Sequence, residues 1–385
     1  MAIPRAARRA RPGVEVSRVA EPVIWALVDS VAGRLDVRAP DGVRIVLDGR
    51  ARVTEAGGRH GRVILSLPLA YVVGLSCVEL KVVIAGELGG RATRTRTGRR
   101  ISAVAGRVGR RMVGLERSRS RLRRPLRSCA RAAFGFSSRL ARRRALAATR
   151  LAAGLFGDDA VLRATGRADS LEVAFGWFWS IDVDPFLDRG WRPPIGEGFR
   201  SFLDAPHVSE RIGVAPDDST GDVLADAETV EARLLAGLSL VWVAWQQGAP
   251  AVVLSVWDGH ARRERLTARG LRVSDLGRQV GVSIDAHASD PAGLVAELAG
   301  LGSGLGLALA ADGWRVGRVP GGPATLSKGG VELRPDLEIS RLAAGELTSA
   351  VWVERCERLG IADLRLERDA LDGAPARTKA AAGSF

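Results

Sequence analysis

The N-terminal part of the chain alternates apolar and polar positions with the period of a β-strand. Residues 34–38 and 43–47 each show this alternation, and Asp41-Gly42 lies between them. An Asp-Gly pair between two period-two runs is typical of a β-hairpin. Further strands are predicted at 62–67 and 78–84. The pattern therefore predicts a small antiparallel β sandwich or barrel over residues 25–90, after a basic segment at 1–24.

The C-terminal part mixes helical and strand periods. Apolar residues spaced three and four apart predict helices over 228–245, 291–299 and 342–359. Asp226 and Asp290 can cap the first two helices, and Gly360 follows the third.

Short apolar runs in the same part predict strands at 171–181, 251–257 and 280–284, and a second hairpin over 305–319. We therefore expect a mixed α+β or α/β chain, with a larger mixed domain over 151–369 and a disordered tail over 370–385.

Charge changes this picture most between residues 91 and 150. This stretch contains twenty arginines and one acid, Glu116, and so carries +19, whereas the whole chain carries +14. The chain has 54 arginines and three lysines, which indicates GC-rich coding, but coding bias does not explain the clustering. A cationic band of this kind implies a polyanionic partner: an anionic membrane, a nucleic acid, or an acidic face of another protein.

The band also contains an apolar stripe with helical spacing, formed by Val104, Val108, Met112 and Leu115. A basic amphipathic helix lying on an anionic membrane would explain both features, whereas a solvated linker would explain the charge alone. Its aromatic residues are confined to Phe134 and Phe136, which makes base stacking less favoured. The arginines expected to contact the anionic surface are Arg107, Arg110, Arg111, Arg117, Arg119, Arg121, Arg123, Arg124 and Arg127.

Three of the predicted strand ends carry an acid followed two residues later by an acid or a histidine. In open α/β sheets, ligands bind beyond the carboxyl ends of strands, so these side chains could converge on a divalent metal such as Mg, Mn or Zn. Ordinary turn chemistry is the alternative, because turns also favour acids. The pairs are Asp182 with Asp184, Asp258 with His260, and Asp285 with His287.

Two of these pairs resemble motifs of known families over a few residues. Asp182-Val183-Asp184 is similar to the Asp-x-Asp of nucleotide-sugar glycosyltransferases, which implies a divalent ion on a sugar diphosphate. Asp258-Gly259-His260 resembles the opening motif of metallophosphoesterases. That assignment is rejected, because the family's later Gly-Asn-His motif needs an asparagine and the chain has none.

Aromatic residues are concentrated between Phe175 and Phe202, where eight of the chain's nineteen occur. Trp177, Trp179 and Trp191 are candidates for stacking on a sugar or a base. Packing in a core is the commoner outcome for large aromatic side chains.

A resemblance to the first helix and turn of a helix-turn-helix covers residues 273–283. No lysine or arginine follows between Arg278 and Arg315, where a recognition helix would need them. An acidic helix is repelled by the phosphates of a duplex, so this element is interpreted as structural.

These observations lead to one working hypothesis and two alternatives. The chain is predicted to be cytoplasmic and docked peripherally on the inner membrane face through 91–150. Its mixed domain would act on a sugar- or phosphate-bearing ligand, as a metal-dependent transferase or hydrolase in envelope-polysaccharide synthesis. The alternatives are a nucleic-acid-binding protein that uses the arginine band, and a non-catalytic scaffold for an acidic protein partner.

Overall fold

The computed structural model describes residues 13–92, 143–212, 223–263 and 270–366, apart from residues 48, 57–60, 144, 237 and 239. The strands within them are β1 (Val14–Val16), β2 (Gly42–Val46), β3 (Arg52–Ala56), β4 (Arg62–Pro68), β5 (Trp191–Arg192), β6 (Val241–Trp242), β7 (Arg315–Gly317), β8 (Thr325–Lys328) and β9 (Val331–Leu333).

The helices contain more residues than the strands, and they position most of the side chains of the candidate sites. They are α1 (Pro22–Arg34), α2 (Leu69–Gly74), α3 (Cys77–Ala92), α4 (Ala145–Phe156), α5 (Asp158–Phe178), α6 (Asp184–Leu187), α7 (Ile195–Asp204), α8 (Pro206–Ile212), α9 (Ala227–Leu234), α10 (Trp245–Arg263), α11 (Leu276–Ala286), α12 (Pro291–Ala311), α13 (Pro335–Ala343) and α14 (Ser349–Leu359). The mixture confirms the α+β class.

Contacts divide the chain into two compact units. The first unit comprises residues 1–179 and 195–239, and the second comprises 180–194 and 240–385. The boundaries of these units differ from those of the predicted domains. Residues 195–239 belong to the first unit, although residues 180–194, which precede them, belong to the second.

The first unit is built on a four-stranded sheet in the order β1-β2-β4-β3. The sheet is mixed, since β2 runs parallel to β4 while the other pairs are antiparallel, so the predicted all-antiparallel arrangement is wrong. Strand β4 lies in the middle and is buried from Val63 to Pro68. Apart from Ser66, the sequence of this run is apolar, which suits a strand that is covered on both faces.

The predicted N-terminal hairpin does not form. Residues 22–34 are helical, with Pro22 in the first turn and Ile24, Val28 and Val31 buried on one face. The turn at Asp41 faces β4 instead of closing a hairpin, because the Asp41 carboxylate accepts a hydrogen bond from the Val63 amide at 2.8 Å. Asp41 thus pairs with Val63 of β4 and does not close the local hairpin that the Asp-Gly pair suggested.

The strand predicted at 78–84 is part of α3. A capping box starts this helix: the Glu79 carboxylate accepts a hydrogen bond from the Ser76 amide at 2.9 Å, and the Ser76 hydroxyl accepts one from the Glu79 amide at 3.3 Å. This reciprocal pairing satisfies amides that a helix start leaves open. The Ser-x-x-Glu spacing was the local signal for it.

Two buried glutamates hold residues 195–239 in the first unit. The Glu21 carboxylate accepts hydrogen bonds from the amides of Ala225 and Asp226 just before α9, at 2.7 and 3.2 Å. The Glu231 carboxylate, on α9, accepts hydrogen bonds from the Ile195 and Gly196 amides at the start of α7, at 2.8 and 2.6 Å. Both glutamates are at most 5% exposed.

The second unit is built around α12, which packs against α10 and α13. A Cβ on Gly306 would stand 2.6 Å from the Trp257 ring, so glycine allows the indole of α10 to lie directly on α12. The strand predicted at 251–257 is therefore wrong. Val253, Trp257 and Ala261 follow a helical spacing and are buried in this core.

Two other predicted strands of the second unit are also helical. Residues 280–284 belong to α11, and residues 305–310 form the end of α12, where every residue from Gly300 to Leu309 is buried. A helix that is buried all round shows no helical period, so periodicity cannot distinguish it from a strand. The hairpin of this unit instead joins β8 and β9 through Gly329-Gly330, both with positive φ.

Most of the predicted helix caps are confirmed. The Asp226 and Asp290 side chains accept hydrogen bonds from the amides of Thr229 and Gly293, and Gly360 adopts the left-handed conformation after α14. The extents were predicted less well. The helix predicted over 228–245 ends at Leu234, and residues 342–359 contribute to two helices, α13 and α14.

The strand predicted at 171–181 is also wrong, because α5 continues to Phe178 and is followed by a π-helical turn over Trp179–Val183. Leu171, Ala174, Phe175 and Phe178 recur at helical spacing and are buried. Residues 273–286 form a short 3₁₀ turn and α11, and the helix that follows is the buried α12. This burial agrees with the structural interpretation of the helix-turn-helix resemblance.

In the part of the chain that the structure describes, one helix is long and apolar enough to cross a membrane. This helix is α12, and 61% of its most apolar 18-residue stretch is buried inside the structure. Its packing against α10 and α13 is that of a core helix in the second unit.

We expect Glu231→Ala to lower the free energy of unfolding by about 3 kcal/mol, because it leaves two amides at the start of α7 without an acceptor. Denaturant unfolding measures this loss. Glu210→Ala removes an exposed glutamate from α8 and should change stability by less than about 0.5 kcal/mol. Equal effects of the two substitutions would contradict the role given to Glu231.

Candidate functional site

The first unit contains an open surface pocket of about 170 Å³, which we call the Tyr71 pocket. It lies among α2, α3, α4, α5 and the segment before β3. Its apolar wall is formed by Ala51, Val82, Val83, Ala152, Val161 and Ala168. Its polar lining is formed by Arg50, Tyr71, Glu87, Thr149, Thr165 and Asp169.

Tyr71 is the most deeply placed of the polar lining residues, with 3% of its surface exposed. None of the described residues forms a hydrogen bond with its hydroxyl. Burial, followed by the negative charge of Glu172, raises the pKa of Tyr71 to about 12, and Asp169 and Glu87 act in the same direction. The side chain is therefore a neutral phenol at physiological pH.

Arg50 lines the pocket and pairs with two acids of α5. Its guanidinium is 2.9 Å from the Asp169 carboxylate and 3.3 Å from the Glu172 carboxylate. All three side chains are more than 40% exposed, so the pairs contribute little stability. The charge of Arg50 is balanced by this arrangement.

The remaining polar groups of the lining are oriented as acceptors. The Thr149 and Thr165 hydroxyls donate their protons to the carbonyls of Ala145 and Val161, at 2.9 and 2.7 Å. Glu87 accepts a hydrogen bond from the Val53 amide at 3.2 Å. The pocket therefore offers oxygen lone pairs to a ligand, and its neutral phenol can donate or accept.

None of these pocket residues was a candidate in the sequence. They come from positions between 50 and 169 that share no local motif, and only folding brings them together. The one available signal was Tyr71, the only tyrosine in the chain, within the apolar stretch before α3.

The three candidate tryptophans are mainly packing residues. Trp179 is 3% exposed, and its ring lies tilted against Phe175 in the first unit, with the ring centroids 5.8 Å apart. Trp191 belongs to the second unit, where it meets Phe186 edge-on at 6.2 Å and lies under the Arg189 guanidinium. Trp177 is 36% exposed and keeps a ring surface in solvent.

Asp182 forms an ion pair inside the second unit. Its carboxylate is 3.0 Å from the Arg318 guanidinium and accepts a hydrogen bond from the Gly321 amide at 3.4 Å, and Asp182 is 4% exposed. Burial raises the pKa of Asp182, while Arg318 and the Gly321 amide oppose this shift. Asp184 lies at the start of α6 and is half-buried.

The two acid–histidine pairs lie on helices or at a helix end, and their histidines contact other side chains of the fold. The His260 Nδ1 atom is 3.2 Å from the Ser303 hydroxyl, which donates its own proton to the Ala299 carbonyl. Ser303 therefore accepts from His260 and is not an activated nucleophile.

His287 lies at the end of α11, where its Nδ1 atom is 3.3 Å from the Glu297 carboxylate. Its predicted partner Asp285 is exposed, and Asp258 is half-buried on α10. The Asp258, His260, Asp285 and His287 side chains thus do not follow strands, because the predicted strands are helices.

Among the residues that the structure describes, no group of three or more His, Cys, Asp or Glu side chains could hold a metal ion. Asp182 would also have to give up Arg318 to bind a cation. The side chains present therefore do not fit the divalent metal that the sequence suggested.

The arginines expected to contact an anionic surface lie outside the described residues. The structure therefore does not test that prediction. These residues are Arg107, Arg110, Arg111, Arg117, Arg119, Arg121, Arg123, Arg124 and Arg127.

Comparison with protein-family models, with curated proteins and with solved structures gives no match to this chain.

We expect Tyr71 to ionise near pH 12 in the folded protein and near pH 10 in denaturant. Because the folded-state pKa is the higher one, stability should fall as the pH rises from about 10 to 12. The phenolate absorbance measures this directly, since the chain has one tyrosine. Glu87→Gln should lower the pKa, and a folded-state pKa near 10 would contradict the described burial.

We expect Arg318→Met to lower the free energy of unfolding by about 3–5 kcal/mol at neutral pH, because it leaves Asp182 charged and unpaired. The loss should shrink toward pH 5. Burial raises the folded pKa of Asp182, and removing Arg318 raises it further, so stability falls as the pH rises through that pKa.

The double variant Asp182→Asn, Arg318→Met should recover part of this loss, as measured by denaturant unfolding at about pH 5 and pH 8. Arg315→Met removes an exposed arginine of β7 and serves as the control. A loss that is the same at both pH values would show that Asp182 is not the group left unpaired.

Proposed function

We propose that this protein docks on an anionic membrane surface through residues 91–150. The observation that carries the proposal is the charge of +19 in that stretch, together with the apolar stripe from Val104 to Leu115. Each arginine near an anionic lipid surface contributes about 1 kcal/mol of attraction, so a few such contacts are sufficient for docking. The remainder of the chain is net acidic and adds nothing to this attraction.

The described helices that flank this stretch in the sequence support the proposal. Helices α3 and α4 lie on either side of residues 93–142, and they are neighbours. A Cβ on Gly89 would stand 3.6 Å from the Cα of Ala148. The described residues that flank 93–142 are therefore close together, so binding of this stretch to a surface does not require α3 and α4 to separate.

Two alternatives remain open for the same stretch. Nucleic acid would satisfy the charge, but it has no use for the apolar stripe. A scaffold that binds an acidic protein face would need neither lipid nor nucleic acid. The action of the C-terminal part on a sugar- or phosphate-bearing ligand stays a prediction, and the ion pair of Asp182 with Arg318 gives it no support.

The test is co-sedimentation of the nuclease-treated protein with vesicles of anionic or neutral lipid at physiological salt. We expect binding to anionic vesicles only. Replacing Arg107, Arg110 and Arg111 by glutamine should weaken it about a hundredfold, at roughly 1 kcal/mol for each arginine. The matched control replaces Arg52, Arg163 and Arg315, three exposed arginines elsewhere, and should bind almost normally.

Substitution is preferable to deletion of 91–150, because that deletion removes parts of the folded unit. Ala148 is buried on α4, and Thr149 lines the Tyr71 pocket. A second variant replaces Val104, Val108, Met112 and Leu115 by serine and leaves the charge unchanged. It should weaken vesicle binding while leaving any nucleic-acid binding intact.

Failure to bind anionic vesicles would reject the proposal. If nucleic acid co-purified before nuclease treatment and its binding showed a salt slope of about −0.7 to −0.9 per neutralised phosphate, that alternative would take its place.

A further inference from the structure

We propose that the four-stranded sheet of the first unit binds a phosphate monoester between Arg44 and Arg52. We call the place the Arg44 site, and it consists of Arg44, Ser66 and Arg52. It is independent of membrane docking, because these strand residues lie outside 91–150. The site follows from the register of the strands, which decides which side chains share a face of the sheet.

The strand register places the three residues in one row across the sheet. Arg44 of β2 is aligned with Ser66 of β4, and Ser66 is aligned with Arg52 of β3. Aligned residues on neighbouring strands share a face, and the residues next to them in each strand point to the opposite face. These next residues are all buried in the core: Val43, Ile45, Ala51, Val53, Leu65 and Leu67. The row therefore lies on the face away from that core.

Arg44 carries a buried donor that lacks a partner in the described part of the chain. Its Nε atom is buried, and none of the described residues accepts a hydrogen bond from it. The Arg44 guanidinium also forms no ion pair with a described acid. A buried donor without an acceptor costs stability, and the cost is larger for a charged group, so native proteins usually provide an acceptor. An oxyanion bound at this place would be that acceptor.

The described acid in this row does not neutralise the two arginines. Glu15 of β1 is aligned with Arg44, but its carboxylate forms an ion pair with Arg62. Arg52 is exposed, and its side chain forms no hydrogen bond or ion pair with a described residue. Together these four side chains carry a net charge of +2. An anion on this face would therefore be attracted, and a cation repelled.

The chemistry of the row selects a phosphate monoester among anions. A guanidinium has donors only, in a fork that matches two oxygens of a phosphate. Ser66 lies between the arginines and is 4% exposed, and its hydroxyl forms no hydrogen bond with another described residue. This hydroxyl can donate to a third phosphate oxygen. A monoester carries close to two negative charges at about pH 8 and so matches two arginines, whereas the phosphodiester of a membrane lipid carries one.

The chain before β1 holds the aliphatic part of Arg44 in place. A Cβ on Gly13 would stand 2.7 Å from the Arg44 Cγ atom and 2.3 Å from the carbonyl oxygen of Ile45. Glycine therefore permits this close approach, and the stem of Arg44 is packed against the backbone. A guanidinium whose stem is already held loses less freedom when it binds a ligand.

The experiment is titration of the full chain with methyl phosphate and, separately, with dimethyl phosphate at about pH 8, followed by two-dimensional NMR of the backbone amides. The amide signals of Arg44, Ser66 and Arg52 report on this site, whereas general attraction of anions to residues 91–150 does not concentrate there. We expect saturable shifts of these signals with methyl phosphate, at an affinity at least tenfold tighter than for dimethyl phosphate. Equal affinities, or no shift at these residues, would overturn the proposal.

Three variants connect the binding to the site. Arg44→Met keeps the aliphatic stem and should weaken methyl phosphate binding at least tenfold. Arg44→Lys keeps the charge but loses the Nε donor, and Ser66→Ala loses the hydroxyl, so each should weaken binding severalfold. Arg163→Met removes an exposed arginine of α5, makes the same change in net charge, and should bind normally. Normal binding by a folded Arg44→Met variant would contradict the site.

Thermal melting separates a ligand site from a structural arginine. In phosphate-free buffer, Arg44→Met should melt no lower than the unchanged chain, because the buried Nε atom has no described partner to lose. A lower melting temperature with unchanged binding would show that Arg44 is structural and would reject the site. Arg52→Met alters an exposed side chain only, so it tests the same site at least severalfold if Arg44→Met fails to fold.

Vesicle binding distinguishes a soluble monoester from a lipid headgroup. Arg44→Met and Arg52→Met should bind anionic vesicles as well as the unchanged chain, because the diester of a lipid does not match the site. Loss of vesicle binding in these variants would assign the site to lipid and overturn the proposal of a soluble ligand. Failure of the unchanged chain to bind vesicles would reject membrane docking alone, since the NMR titration needs no membrane.

Discussion

The first unit depends on carboxylates that are buried where the chain returns to it. Glu21 receives the amides that precede α9, and α9 in turn carries Glu231, which receives the first amides of α7. Glu21, which precedes α1, therefore holds the start of α9, and Glu231 on α9 holds the start of α7. Charged acceptors are suited to this role, because they bind two amides at once more strongly than a neutral group does.

Local signals in the sequence predicted the ends of elements better than their identity. The caps Asp226, Asp290 and Gly360 follow from side-chain chemistry with neighbouring amides, and they form as predicted. Elements buried on all sides were harder to predict, because burial removes the contrast between faces on which periodicity depends. The end of α12, which is buried on all sides, therefore shows the continuous apolar pattern of a strand, whereas the middle of α10 keeps exposed residues such as Ala251 and Ser255.

The candidate site shows the same limit more sharply. The acid pairs at Asp182 and Asp258 were predicted as sites because the members of each pair are close in sequence. Asp182 instead forms an ion pair with Arg318, which is 136 positions away. The Tyr71 pocket has no compact motif, because α3, α4 and α5 each contribute a few side chains to it. Chemistry that is assembled by helix packing leaves almost no trace in a single sequence.

Glu21 and Ala225 are 204 positions apart in the sequence, and this separation has a consequence for folding during synthesis. Ribosomes add about 5–20 residues per second, so Glu21 waits roughly 10–40 s for its partner to be made. Until then the sheet and α1 are present without α9, and the surface of β1 that this helix contacts is open to other contacts. Completion of the first unit is therefore a late, long-range step in which loop closure precedes any stabilising contact.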